Sequence, residues 1–130
     1  MGQEEASGIP TRILLCDDTR DIILLLGAEF GLHSDLEIVG EAANGRDAVA
    51  LAGKLQPDVV VLDLTMPEMD GLQALPEIIR VAPTTKVVVL SSHDSAIAPQ
   101  VIELGATRYI EKGMSACDIA KAVQDVARAS

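Results

Sequence analysis

Asp17 and Asp18 stand side by side after the apolar run RILLC (12–16), Asp63 ends DVVVLD (58–63), and Ser91 follows KVVVL (86–90). Lys112 comes two residues after TRYI (107–110). If the three carboxylates meet, two of them about 4 Å apart repel by roughly 4 kcal/mol at an effective dielectric of about 20. One lysine leaves that charge in excess, so the group wants a divalent cation. Oxygen donors without His or Cys suit a hard ion that keeps waters and accepts a phosphoryl oxygen, which points to Mg2+ or Mn2+. Asp18 and Asp63 are the candidate direct ligands, with the Thr65 backbone carbonyl and Asp17, acting through water, completing the set. An aspartate with an unperturbed pKa of about 3.9 is already ionised at neutral pH and needs no general base to act as a nucleophile. With its charge neutralised, Asp63 could attack phosphorus while Lys112 and the Ser91 hydroxyl bind two other phosphoryl oxygens.

Whether these residues meet depends on the elements that carry them. Five short runs rich in β-branched residues predict strands at 12–16, 36–42, 58–63, 86–90 and 107–110. Between and after them, apolar residues recur at helical spacing, as in Ile22, Leu25, Leu26 and Phe30, or Ile119, Ala122, Val123 and Val126. Asn44-Gly45, Pro57, Pro83 and Gly105 punctuate the ends. Pro76 falls inside the third helical pattern and predicts a kink or a late helix start. Strict alternation of strand and helix predicts an α/β fold with a parallel sheet covered on both faces. In such sheets ligands bind at the carboxyl ends of the strands, where all five candidate residues fall.

At 130 residues, 48% hydrophobic and 2% aromatic, the chain suits one domain with an aliphatic core. Residues 1–11 predict a loose N-terminal tail and 12–130 the domain. A formal net charge of −10 argues against binding nucleic acid or an anionic membrane directly. No apolar run is long enough to span a bilayer and no signal peptide is apparent, so a cytoplasmic location is expected. Cys16 and Cys117 are far apart and outside any metal-ligand spacing, which predicts two reduced core thiols. Val101, Leu104, Ile119 and Val126 are likewise expected in the core.

Asp17-Asp18 after the first strand, DLTMPEMDG around Asp63, Ser91, Tyr109 in the fifth strand and Lys112 beyond it together resemble the receiver domain of bacterial two-component response regulators, over roughly residues 12–128. The Lys112-Gly113 pair, GEAANGRDAVALA and GLQALPEI are most similar to the LuxR-type (NarL-like) transcription regulators. The resemblance implies a flavodoxin-like three-layer (βα)5 sandwich with strand order 2-1-3-4-5. It implies that Asp63 is the phosphoacceptor for a sensor histidine kinase, and that Ser91 and Tyr109 move on phosphorylation. The face made by the fourth helix, fifth strand and fifth helix would then address an output domain or protein in transcription, or a second copy of the chain. Self-catalysed phosphotransfer and slow autodephosphorylation would be its only chemistry.

Simpler readings compete with these. A helix cap accounts for one aspartate of the pair, though Thr19 or Asp21 could also serve. Lys112 could be a surface lysine, Tyr109 plain packing, and His93 a solvated loop residue. An interaction module working without phosphorylation is the alternative function. A phosphohydrolase would want an acid two positions after its nucleophile, where Thr65 stands.

Overall fold

The computed structural model describes residues 9–64, 66, 69–91, 95–111 and 113–129. Its elements alternate: β1 (Thr11–Cys16), α1 (Arg20–Gly31), β2 (Leu36–Ala42), α2 (Gly45–Leu55), β3 (Val59–Asp63) and α3 (Gly71–Val81). They continue with β4 (Lys86–Ser91), a 3-10 turn (Ser95–Ile97), α4 (Ala98–Glu103), β5 (Arg108–Glu111) and α5 (Ala116–Arg128). All strands are parallel, in the order β2-β1-β3-β4-β5.

The pleat sends alternate residues to opposite faces, and two cores result. Leu14, Cys16, Val60, Leu62, Val87 and Val89 pack under α2, α3 and α4. Ile13, Leu15, Val59, Val61, Val88 and Leu90 pack under α1 and α5. Every residue of β3 is buried. A strand covered on both faces has no use for alternation, hence its unbroken valines. On α1, Ile23, Leu26 and Phe30 make the buried stripe; such a side chain stabilises the fold by roughly 1.5–3 kcal/mol.

Helix starts follow local chemistry. The Asn44 side chain accepts from the Asp47 amide at 2.8 Å, and Ser115 from the Asp118 amide at 3.1 Å. Asp70 and Gln73 form a reciprocal capping box at the head of α3. The late start expected from Pro76 is therefore not found: α3 begins at Gly71 and carries Pro76 inside it. The cap, together with buried Ala74, Leu75 and Ile78, offsets the backbone donor that proline removes. Two core expectations are also corrected. Leu104 lies just past α4 and is 38% exposed, and Cys117, in the first turn of α5, is exposed. Leu104 is the residue that follows α4 and Cys117 stands on the solvent side of the first turn of α5, neither of which periodicity alone separates from the core.

Two features set the sheet's margins. Between β1 and β2 the register jumps, with Ile13 opposite Ile38 but Leu14 opposite Gly40, which leaves Val39 as an extra residue. A Cβ on Gly40 would lie 2.9 Å from Leu55 Cδ1 and 3.2 Å from Leu14 Cδ1. At the other margin β5 is only four residues long.

Gln56 closes α2 in the left-handed region, φ 46°. Its side-chain amide donates to the carbonyls of Gly53 and Val81, both at 2.9 Å, and so joins the carboxyl ends of α2 and α3. Gln56→Ala loses these bonds and keeps the unfavourable φ, whereas Gln56→Gly loses the bonds alone. In urea unfolding the alanine variant is expected to be less stable than the glycine variant by about 1 kcal/mol. Equal stabilities would remove backbone strain from the account.

Candidate functional site

Register brings the acidic residues together. Cys16 pairs with Leu62, so the chain leaves β1 level with the end of β3, where Asp63 sits. The Asp17 amide donates to the Ala42 carbonyl at 3.0 Å and the Leu64 amide to the Leu90 carbonyl at 3.1 Å, which extends the ladder one step beyond the strands. One carboxylate oxygen from each of Asp17, Asp18 and Asp63 then lies within 4.8 Å of the others. Asp17 is 4% exposed and Asp63 2%, while Asp18 faces solvent.

Asp17 also serves α1. Its Oδ1 accepts from the Thr19 amide at 2.8 Å, and Thr19, the N-cap of α1, makes no side-chain cap bond. Helix entry and membership of the acidic group thus coincide in one residue. Beneath it, burial and then the Asp17 charge push the Cys16 thiol far above its ordinary range, so Cys16 stays protonated and contributes packing only.

The segment from Leu64 to Gly71 is closed at its neck, where the Gly71 amide donates to the Leu64 carbonyl at 2.9 Å. A Cβ on Gly71 would strike the Asp63 carbonyl oxygen and come within 2.6 Å of Leu64 Cα. Only glycine lets the start of α3 lie this close to the end of β3.

Ser91 ends β4 one residue past Leu90, the partner of Asp63, and is fully buried. Tyr109 pairs with Val89 and packs half-buried against the α2, α3 and α4 core. Val87 and Val89 face that same core, so Ser91 and Tyr109 share one face of the sheet on neighbouring strands. Of the other expected site residues, Thr65 and Lys112 lie outside the described residues, as does His93.

Beside Asp17 and Asp18 opens a cleft of about 320 Å³, also lined by Arg20, Ile23, Glu41, Ala42, Ala43 and Asp47. Sequence reasoning did not single out Glu41 or Asp47. Glu41 reads as an ordinary exposed strand residue and Asp47 as a helix first-turn acid, and only the fold sets them next to the aspartate pair. The cleft carries four acids against Arg20, which strengthens its preference for a cation. Hard oxygen donors, two buried and one open to solvent, fit a divalent ion that retains part of its hydration. No helix among the described residues is long and apolar enough to cross a membrane.

The chain is similar to known proteins in sequence and in fold. The family model described as "Response regulator receiver domain" matches residues 13–124. The transcriptional regulatory protein LiaR of Bacillus subtilis is 40% identical over 115 residues, a match covering 87% of this chain and 54% of LiaR. The chain therefore spans about half the length of that relative. The signal receiver domain of the response regulator NarL from Mycobacterium tuberculosis superposes with a TM-score of 0.87 at 32% identity, covering 94% of this chain and 99% of that one. The CheX-CheY-BeF3-Mg complex from Borrelia burgdorferi gives a TM-score of 0.87 at 27% identity, covering 96% and 95%.

Proposed function

The chain belongs to the response regulator receiver domains, on their NarL-like branch, and from that premise we propose that it is a phosphorylation-dependent switch whose acceptor is Asp63. The observation that carries this reading is the buried Asp63 carboxylate at the end of the central strand, with oxygens of Asp17 and Asp18 within 4.8 Å. As a receiver domain it acts in two-component signalling, and a sensor histidine kinase is its phosphoryl donor.

In the reaction, a carboxylate oxygen of Asp63 attacks the phosphorus of a phosphohistidine. The new P–O bond forms as the P–N bond breaks, and the imidazole leaves with its nitrogen lone pair to take a proton from solvent. Mg2+ or Mn2+ held by Asp17, Asp18, Asp63 and the Thr65 carbonyl would neutralise the meeting negative charges when bound. Support for magnesium comes from the donor set and from the related CheY, which was captured with magnesium and BeF3. Lys112 pairs with one phosphoryl oxygen and the Ser91 hydroxyl donates to another. Water later hydrolyses the acyl phosphate slowly, since Thr65 offers no acid or base there.

As Ser91 turns toward the phosphoryl group, Tyr109 on the same sheet face swings into the space it leaves. This biases a two-state equilibrium of the surface formed by α4, β5 and α5. An output domain or protein reads that surface, and the name of the relative LiaR makes transcription the expected output. A homodimer through this surface and a cytoplasmic location fit the same role, with residues 12–130 as the receiver and 1–11 as its tail.

The test is intact mass after incubation with acetyl phosphate and magnesium, beside a magnesium-free control and Asp63→Ala. A gain of one phosphoryl group that needs both magnesium and Asp63 is expected. No gain, with a histidine kinase donor also failing, would overturn the switch and favour a module that binds partners without phosphorylation.

A further inference from the structure

Arg20 is the first residue of α1, and it lines the cleft together with Asp17, Asp18, Glu41 and Asp47. It is exposed, and among the described residues it makes no side-chain hydrogen bond or ion pair. The start of a helix favours acids over cations, because its unpaired amides carry partial positive charge. Asp21 follows that rule and Arg20 departs from it. The stability of α1 therefore does not account for an arginine here, whereas the charge of the cleft does. Asp17, Asp18, Glu41 and Asp47 line the cleft, and Asp63 has an oxygen within 4.8 Å of oxygens of the first two. A divalent ion offsets two of these five negative charges. A phosphoryl donor, itself an anion, then still meets an excess of three, and Arg20 is the one cation lining the cleft among the described residues.

We infer that Arg20 is a specificity-determining residue for the proposed reaction: its charge draws anionic phosphoryl donors into the acidic cleft toward Asp63, and does so at the expense of magnesium affinity. The inference rests on the reading of Asp63 as phosphoacceptor. A volume of about 320 Å³, drawn as a cube, has an edge of about 7 Å, inside the Debye length of about 8 Å at physiological salt. The field of the arginine therefore spans the cleft. It acts on entry and takes no part in the transfer itself. Because the two species have opposite charge, one guanidinium attracts the donor and repels the metal ion. A residue that served only the packing of α1 would shift both in one direction.

The test compares Arg20→Gln and Arg20→Lys with the wild type, each saturated with magnesium. The second-order rate constant for labelling is measured by intact mass with acetyl phosphate, a dianion at neutral pH, and with phosphoramidate, a monoanion. Arg20→Gln is expected to slow labelling by acetyl phosphate about fivefold and by phosphoramidate about twofold, since half the charge feels half the potential. Arg20→Lys keeps the charge and the wild-type rates. In about 1 M salt, where the Debye length is about 3 Å, the difference largely disappears. Magnesium is titrated separately without donor, followed by the backbone amide NMR shifts around Asp17, Asp18 and Asp63. There Arg20→Gln is expected to lower the half-saturating concentration by about the same fivefold. Glu41→Gln removes a charge of the other sign from the same cleft, so it speeds labelling and weakens magnesium binding.

Labelling of Arg20→Gln at the wild-type rate in low salt would overturn the inference, and so would a loss that Arg20→Lys does not restore or that high salt leaves intact. Should Arg20→Gln not fold, an unchanged labelling rate in Glu41→Gln would do the same. If the wild-type protein takes a phosphoryl group from neither donor nor from a histidine kinase, the acceptor reading fails and the inference with it. A labelled wild type with an indifferent Arg20→Gln overturns the inference alone.

Discussion

Asp63→Asn is expected to abolish phosphoryl incorporation, by at least about a thousandfold, while making the metal-free protein more stable. The amide keeps the shape of the side chain but removes the nucleophile of the proposed reaction, and no other carboxylate of the group ends the central strand. It also removes one of three like charges whose oxygens lie within 4.8 Å of one another. A pair at that separation costs roughly 3.5 kcal/mol at an effective dielectric of about 20. Asp18 is exposed, and solvent screening there reduces the net gain to about 1–2 kcal/mol. Magnesium reverses the order. An ion at a hundred times its dissociation constant adds about 2.7 kcal/mol to a protein that binds it only when folded, and the Asn variant, short of one charge, gains less. Urea unfolding with and without magnesium should therefore give curves that cross. Labelling of the variant at the wild-type rate would move the acceptor to Asp17 or Asp18.

Gly71→Ala is expected to cost about 3 kcal/mol, at the upper end of what overpacking does. The added methyl meets backbone on every near side: the Asp63 carbonyl oxygen, the Asp63 carbonyl carbon at 3.1 Å and Leu64 Cα at 2.6 Å. These atoms end a fully buried central strand bonded to β4, so relief has to come from moving α3 outward. That would also open the neck of the Leu64–Gly71 segment, and magnesium-dependent stabilisation should fall with it. Gly31→Ala is the matched control, since a Cβ there meets nothing within 4 Å. A loss of less than about 0.5 kcal/mol in urea unfolding at Gly71, within the range of ordinary surface changes, would show that the helix start yields.

The main outlines of this fold and the meeting of Asp17, Asp18 and Asp63 were legible because the signals were local. Val59 to Leu62 had to be a strand covered on both faces, and a charge at its end had to meet whatever the neighbouring strand ends delivered. The 36–42 strand matches Leu36–Ala42, three others differ by one residue at one end, and the last is shifted by one residue, 108–111 against 107–110. What stayed hidden was long-range. Glu41 and Asp47 join the cleft only because β2 lies beside β1, and the close approach of the Gly45 and Met69 backbones links residues 24 positions apart that no pattern connects. Pro76 misled because propensity counts the lost donor and cannot see the Asp70–Gln73 capping box before it or the buried stripe around it. Leu104 and Cys117 misled because a short helix and a helix's first turn carry too few residues to mark which side is wet.

The jump in register at Val39 has an effect outside the molecule. A parallel sheet with open margins offers rows of unpaired amides and carbonyls on which a foreign strand could grow. Here one margin is broken by the extra residue of β2, which tilts its outer groups out of line. The other is four residues long, with Arg108 and Glu111 exposed at its two ends. Neither rim offers a long, regular row of backbone groups to a foreign strand, an arrangement that opposes edge-to-edge joining of sheets.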